Sequence, residues 1–105
     1  MDAQLKKGIL EAYVLSILSK SPTYGYELYS YIQQTIPISE NTLYPIFRRL
    51  ELQNALETYS EEHNGRLRKY YKITIIGIGR LNEYKEMLFE TRDLIDKILG
   101  GTKNG

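Results

Sequence analysis

Apolar positions along the chain repeat every three to four residues in three early segments, every second residue in two short ones, and at helical spacing again to the end. From residue 4 to 19, Leu5, Ile9, Tyr13, Val14, Ile17 and Leu18 recur at helical spacing, and Leu10 and Leu15 widen the apolar face. The pattern predicts a first helix buried on more than one side. Pro22 ends it, because proline lacks a backbone donor and disfavours helix at Ser21. A second helix is expected to start near Thr23 as N-cap and to fade by Thr35-Ile36-Pro37, with Leu28 and Ile32 inward. Gly25 shares that face, and a glycine so early in a helix implies close approach of another backbone. A third helix is capped by Ser39, with Leu43, Ile46, Phe47 and Leu50 as its apolar stripe and Asn54 as a left-handed stop.

The rhythm of two follows. Residues 56–60 and 66–73 read as strands joined by Asn64-Gly65, a strong hairpin signal. Thr74 then caps a last helix running to about residue 99, in which Leu81, Tyr84, Leu88, Thr91, Ile95 and Ile98 make a short heptad seam. At 1.5 Å per residue this helix is ~37 Å long, more than three short helices and a hairpin can cover. Its seam needs another surface, and a second copy of the chain is the simplest; folding back onto the first helix is the other option. Residues 1–73 thus read as one unit, 74–100 as a dimerisation helix and 101–105 as a tail. The fold class is mainly α with a small β-hairpin: a winged helix-turn-helix plus a long C-terminal helix.

Composition narrows the function. Of 105 residues, 42% are apolar, enough for a packed core. No apolar run suits a membrane, and the N-terminus shows no signal pattern, so the expected location is the cytoplasm. The absence of cysteine removes disulfide and thiolate chemistry. His63, the single histidine, stands beside a turn with no nucleophile or metal-ligand partner, and Gly77 and Gly79 do not make a phosphate loop, so neither enzyme activity, cofactor nor metal is expected. Net charge is only +1, so any nucleic-acid surface must come from clustering. Two clusters stand out. The polar face of the third helix shows Asn41, Thr42, Tyr44, Pro45, Arg48 and, near its edge, Arg49. Arg48 is placed to bond guanine or to grip phosphate, Asn41 to read adenine or hold backbone, and Tyr44 to donate to phosphate. Pro45 breaks a helix rule on an exposed face, as functional sites often do. The hairpin adds Arg66, Arg68 and Lys69 beside the turn, diluted by Glu57, Glu61 and Glu62.

Three segments resemble the PadR family of transcriptional regulators: Tyr24-Gly25-Tyr26-Glu27-Leu28; Asn41-Thr42-Leu43-Tyr44-Pro45 with Arg48-Arg49-Leu50-Glu51; and Arg68-Lys69-Tyr70-Tyr71-Lys72-Ile73-Thr74 with Gly77. The chain is similar to the short subfamily, with a single C-terminal dimerisation helix. The resemblance implies a homodimeric repressor, relieved in many members by a small aromatic effector. Asn54 stands where that family commonly has glycine, Tyr24 where it often has histidine, and Ile75-Ile76 where an acidic pair is common. No tryptophan is available to line a drug pocket at the dimer centre; Met87, Leu88 and Phe89 occupy that region.

The expected partners are therefore double-stranded DNA carrying a palindromic operator, with half-sites ~34 Å apart, and a second copy of the chain. Dimerisation is assigned to Leu5, Tyr13, Leu81, Tyr84, Leu88, Ile95 and Ile98. The alternative is a winged-helix module that binds protein and not DNA, which the near-neutral charge favours.

Overall fold

The computed structural model describes residues 3–101; of the expected tail, 102–105 lie outside the described residues. Four helices and three strands follow in the order α1 (Ala3–Leu18), β1 (Thr23–Tyr24), α2 (Gly25–Thr35), α3 (Glu40–Leu52), β2 (Leu56–His63), β3 (Arg66–Ile73) and α4 (Ile75–Ile98). Leu10, Val14, Leu15 and Leu18 of α1 meet Leu28 and Ile32 of α2 and Leu43, Phe47 and Leu50 of α3 in one fully closed core. Burying each of these side chains contributes roughly 1.5–3 kcal/mol.

The sheet has three antiparallel strands in the order β1-β3-β2, one more than the hairpin the sequence predicts. Thr23 and Tyr24 pair with Tyr71 and Tyr70, so Thr23 is a strand residue and Tyr24 takes the N-cap position of α2, without a side-chain cap. A two-residue strand leaves no periodicity to read. The hairpin is also longer than expected: β2 continues through Glu61, Glu62 and His63, which pair with Arg68, Leu67 and Arg66. Asn64 (φ 53°) and Gly65 (φ 78°) are both left-handed, the geometry of the tight turn that matches strand twist.

Local chemistry explains the stops and starts of α3 and α4. Ser39 Oγ accepts from the Thr42 amide, and Asn54 closes α3 at φ 63°. Thr74 does two jobs. Its hydroxyl donates to the Asn54 carbonyl at 2.6 Å and accepts from the Gly77 amide at 3.0 Å. That ties the end of α3 to the start of α4. Gly77 carries the close approach expected at Gly25. A Cβ on Gly77 would lie 2.2 Å from the Ala55 carbonyl oxygen, whereas one on Gly25 would meet only the rings of Tyr71 and Tyr44 at 3.4 and 3.5 Å.

A buried carboxylate joins three helices. Glu11, on α1, is only 6% exposed. Its Oε2 accepts from Arg49 Nε (3.0 Å) and Nη2 (2.6 Å), and its Oε1 accepts from Tyr84 Oη (2.6 Å) and Arg80 Nη2 (3.4 Å). Arg80 also bonds Gln53 at the end of α3. Burial pushes the Glu11 carboxyl up, but the bonds from Tyr84 and Arg49, and the charges of Arg49 and Arg80, outweigh it and hold the group below its ordinary value. Burial and the bond to Glu11 push the Tyr84 hydroxyl up. A carboxyl depressed on folding stabilises above its unfolded value, and that stabilisation is lost as pH falls through the folded value. Acid titration of stability should therefore show a carboxylate-range loss that Glu11→Gln flattens, with Glu11→Gln destabilising by about 1–3 kcal/mol at neutral pH. Denaturant unfolding at several pH values measures both.

The seam of α4 splits in two. Leu81 is 4% exposed and belongs to the chain's own core, and Tyr84 is held by Glu11. These two assigned dimer residues pack inside the chain, because the first turns of α4 do fold back on α1. From residue 85 to 100 every residue is exposed, Leu88, Thr91, Ile95 and Ile98 among them. The helix projects, and the protein measures 58 × 28 × 21 Å.

Candidate nucleic-acid interface

The outer face of α3 is the first part of the surface. Asn41, Thr42, Pro45 and Arg48 are exposed on it. Among the described residues Arg48 has no ion-pair partner, so its guanidinium is free to bond an incoming acceptor. Pro45 has no amide for the Asn41 carbonyl, four residues back, and leaves that acceptor open on the same face. The Thr42 hydroxyl is shared with Ser39 Oγ at 3.1 Å, so it serves the cap as well as any ligand. Tyr44 is half-buried. Its ring stacks on Tyr29 (centroids 6.3 Å apart) and meets Phe47 edge-on (5.4 Å), which leaves only its hydroxyl end for a partner. Burial, with Glu40 close by, pushes that hydroxyl up, so it stays protonated and able to donate.

Arg49 does not belong to this face. The helical turn that points Arg48 outward carries Arg49 inward to Glu11, where its charge is already matched. That pairing sets Arg49 apart from the free Arg48 as a candidate contact.

The hairpin forms the second part, and its three cations do not share one direction. Arg66, next to the turn, is exposed and without an ion pair among the described residues. Arg68 lies over the Tyr24 ring, 4.4 Å from its centroid, on the sheet face that also carries Tyr70 and Tyr59. Lys69 points to the opposite face, sits over Tyr71 and pairs with Glu51 of α3 at 3.7 Å. The pair links the hairpin to α3 and leaves Lys69 largely exposed, on the face opposite Arg66 and Arg68 as the strand alternation predicts. Alternation along a strand sends neighbours to opposite faces, yet at the open edge of β3 both Arg68 and Lys69 reach the rim of one cleft.

Between the hairpin and the helices lies an open cleft of about 650 Å³, walled by Tyr24, Tyr26 and Tyr44 on one side and Arg66 and Arg68 on the other. Tyr26 is exposed in the first turn of α2. It was missed in the sequence, although its place just after Gly25 in a helix start is the signal that marks it. The surface as a whole is an exposed helix face with a free arginine, continued by a cleft rimmed with arginine and tyrosine hydroxyls. Such a surface suits a polyanion with a groove.

Met87, Leu88 and Phe89 do not line one pocket within a single chain. Leu88 faces a groove between α1 and α4, Met87 lies beside Arg80, Glu83 and Tyr84, and Phe89 sits under Arg92 at 5.1 Å. Among the described residues there is no group of three or more His, Cys, Asp or Glu able to hold a metal, and no helix is long and apolar enough to cross a membrane.

Three packed helices, a three-stranded sheet with a long hairpin, and an exposed third helix define a winged helix-turn-helix protein. Residues 14–83 match the Transcriptional regulator PadR-like family, and the chain belongs to that family. It is similar to the PadR-like transcriptional regulator of Bacillus cereus (31% identity, TM-score 0.85), covering 95% of this chain and all of that one. It is similar to a PadR family transcriptional regulator of Eggerthella lenta (38%, 0.78; 94% and 88% covered) and to smu.1704 of Streptococcus mutans (38%, 0.85; 90% of each). The family consists of transcriptional regulators and not of enzymes, and its members bind DNA as dimers.

Proposed function

We propose that this chain is a homodimeric repressor that reads a palindromic operator through Asn41, Thr42, Tyr44, Pro45 and Arg48 of α3 in successive major grooves, with Arg66 and Arg68 of the hairpin on flanking phosphates. The observation that carries this reading is the unpaired Arg48 on the open face of a capped helix whose other face is wholly buried. A helix of that size fits the major groove, and phosphate contacts beside it fix register. Repression follows because a dimer seated on its operator blocks other proteins by occupancy alone.

Dimerisation is assigned to the bare half of α4, chiefly Leu88, Ile95 and Ile98, with Leu5 and Tyr13 of α1. The apolar groove of about 390 Å³ between α1 and α4, lined by Ile9, Ala12, Tyr13, Ile36 and Leu88, suits the partner's α4. In such a dimer Met87, Leu88 and Phe89 of two copies would face a flat aromatic effector, whose binding would relieve repression by shifting the two reading heads. Fluorescence change on adding planar aromatic compounds to the dimer, with a matching fall in operator affinity, tests that part.

Arg48→Ala is expected to cost about 1–3 kcal/mol of operator binding and to relax preference at one base position. Binding measured across single-base operator variants checks it; an equal loss on every sequence would place Arg48 on phosphate. Replacing Arg66 and Arg68 together with alanine should reduce the slope of log affinity against log salt by about 1 to 2. An unchanged slope in a salt titration would take the hairpin out of the interface.

A further inference from the structure

We infer that Glu11 is a positioning residue for operator recognition: one buried carboxylate sets the angle between the recognition helix α3 and the dimerisation helix α4. This rests on the dimeric DNA-reading proposal above and goes beyond it, because Glu11 is buried within the chain and belongs to neither proposed surface.

The geometry divides the carboxylate by helix. Oε2 serves α3 through two bonds from Arg49, and Oε1 serves α4 through Tyr84 and Arg80. Arg80 then reaches back to Gln53 at the end of α3, closing a ring of polar bonds around α1, α3 and α4. Apolar packing alone holds α4 weakly in orientation. Only Gly77 and Leu81 of its 24 residues are buried in the chain. The Thr74 bonds and the Gly77–Ala55 contact pin the first turn of α4, and beyond that turn Leu81 gives a contact that is not directional and leaves the outward course of the helix soft. The bonds to Glu11 are directional and charge-assisted, and two N–H groups of Arg49 converge on the single oxygen Oε2. Apolar residues of similar volume often give a fold as much stability as a buried ion cluster does. Orientation is what this cluster supplies beyond that.

The consequence appears only in the dimer. The distal half of α4 belongs to the interface and α3 to the operator, so the Glu11 ring is the joint between arm and reading head. A small rotation there, carried along the arm, changes the distance between the two recognition helices. A protein with a firm joint tolerates one half-site spacing; one with a loose joint tolerates several.

The chain has no cysteine, so Glu40→Cys, at the exposed start of α3, gives a single spin-label site per protomer. The distance distribution across the dimer is measured by double electron–electron resonance in that parent, in Glu11→Gln, and in the milder Tyr84→Phe. A narrow distribution is expected in the parent. In Glu11→Gln it should broaden at least about twofold while sedimentation still gives a dimer, with Tyr84→Phe in between. Operator binding in the protein without the label should then change in step. Wild type should lose about tenfold or more in affinity when one base pair is added between half-sites, and Glu11→Gln about threefold or less. Distributions of equal width in a folded, dimeric Glu11→Gln, or in Tyr84→Phe should Glu11→Gln not fold, would overturn the inference while leaving the dimer reading intact. No intermolecular distance in the parent would overturn the dimer reading and this inference with it.

Discussion

Leu88→Asp is expected to give monomers in sedimentation at concentrations where the wild type is dimeric, with operator affinity lower by about two to four orders of magnitude. The size of the effect comes from linkage. Two reading heads on one dimer engage two half-sites in a single event, and a monomer must bind each separately. Leu88 is exposed in the single chain, so a charge there leaves the chain's own core intact. A second signature follows from residues 85–98, all exposed in the single chain. A free helix of that length is marginal in water. The variant should therefore lose part of its far-UV helical signal while keeping cooperative unfolding of the rest. A dimer that persists would mean that the bare face of α4 is not the interface.

Gly77→Ala should be the most damaging small change to the fold. The added methyl would lie 2.2 Å from the Ala55 carbonyl oxygen and 2.7 Å from Ile73 Cγ1. The first obstacle is backbone, already accepting from the Thr74 amide at 3.1 Å, and it cannot swing aside as a side chain does. Over-packing typically costs about 1–3 kcal/mol, and a clash this close belongs at or above the top of that range. For a domain of this size that lowers Tm by about 10–20 °C. Gly25→Ala is the control. Its new methyl has ordinary contact room beside the Tyr71 and Tyr44 rings, so stability should stay within about 1 kcal/mol of wild type. Thermal unfolding of the two variants separates close approach from mere helix start as the reason for each glycine.

The contrast between those glycines shows what the sequence made legible. Features fixed by neighbouring residues were readable: the Ser39 and Thr74 caps, the left-handed Asn54, the Asn64-Gly65 turn and the four helical periodicities all depend on chemistry within a few positions. Features fixed by residues far apart were not. Glu11 meets Arg49, Arg80 and Tyr84 across 38, 69 and 73 positions, and nothing local marks it as buried. The same blindness put Arg49 on the DNA face, since periodicity placed it at the edge of the stripe and only Glu11 decides which way it turns. Strand β1 escaped because two residues cannot show alternation, and the pairing of Lys69 with Glu51 joins residues too far apart for local spacing to reveal. In the seam of α4 the spacing was right, but spacing cannot say that Leu81 and Tyr84 meet α1 of the same chain while Leu88, Ile95 and Ile98 stay exposed.

Two copies of one exposed, arginine-bearing helix should read a duplex at a fixed separation. Selection of bound duplexes from a random pool by the purified full chain tests it most directly. An inverted repeat with half-sites about one helical turn apart is expected, enriched over successive rounds and lost with Arg48→Ala at one position of each half. Enrichment of no duplex at low salt, or of a single unrepeated site, would contradict it.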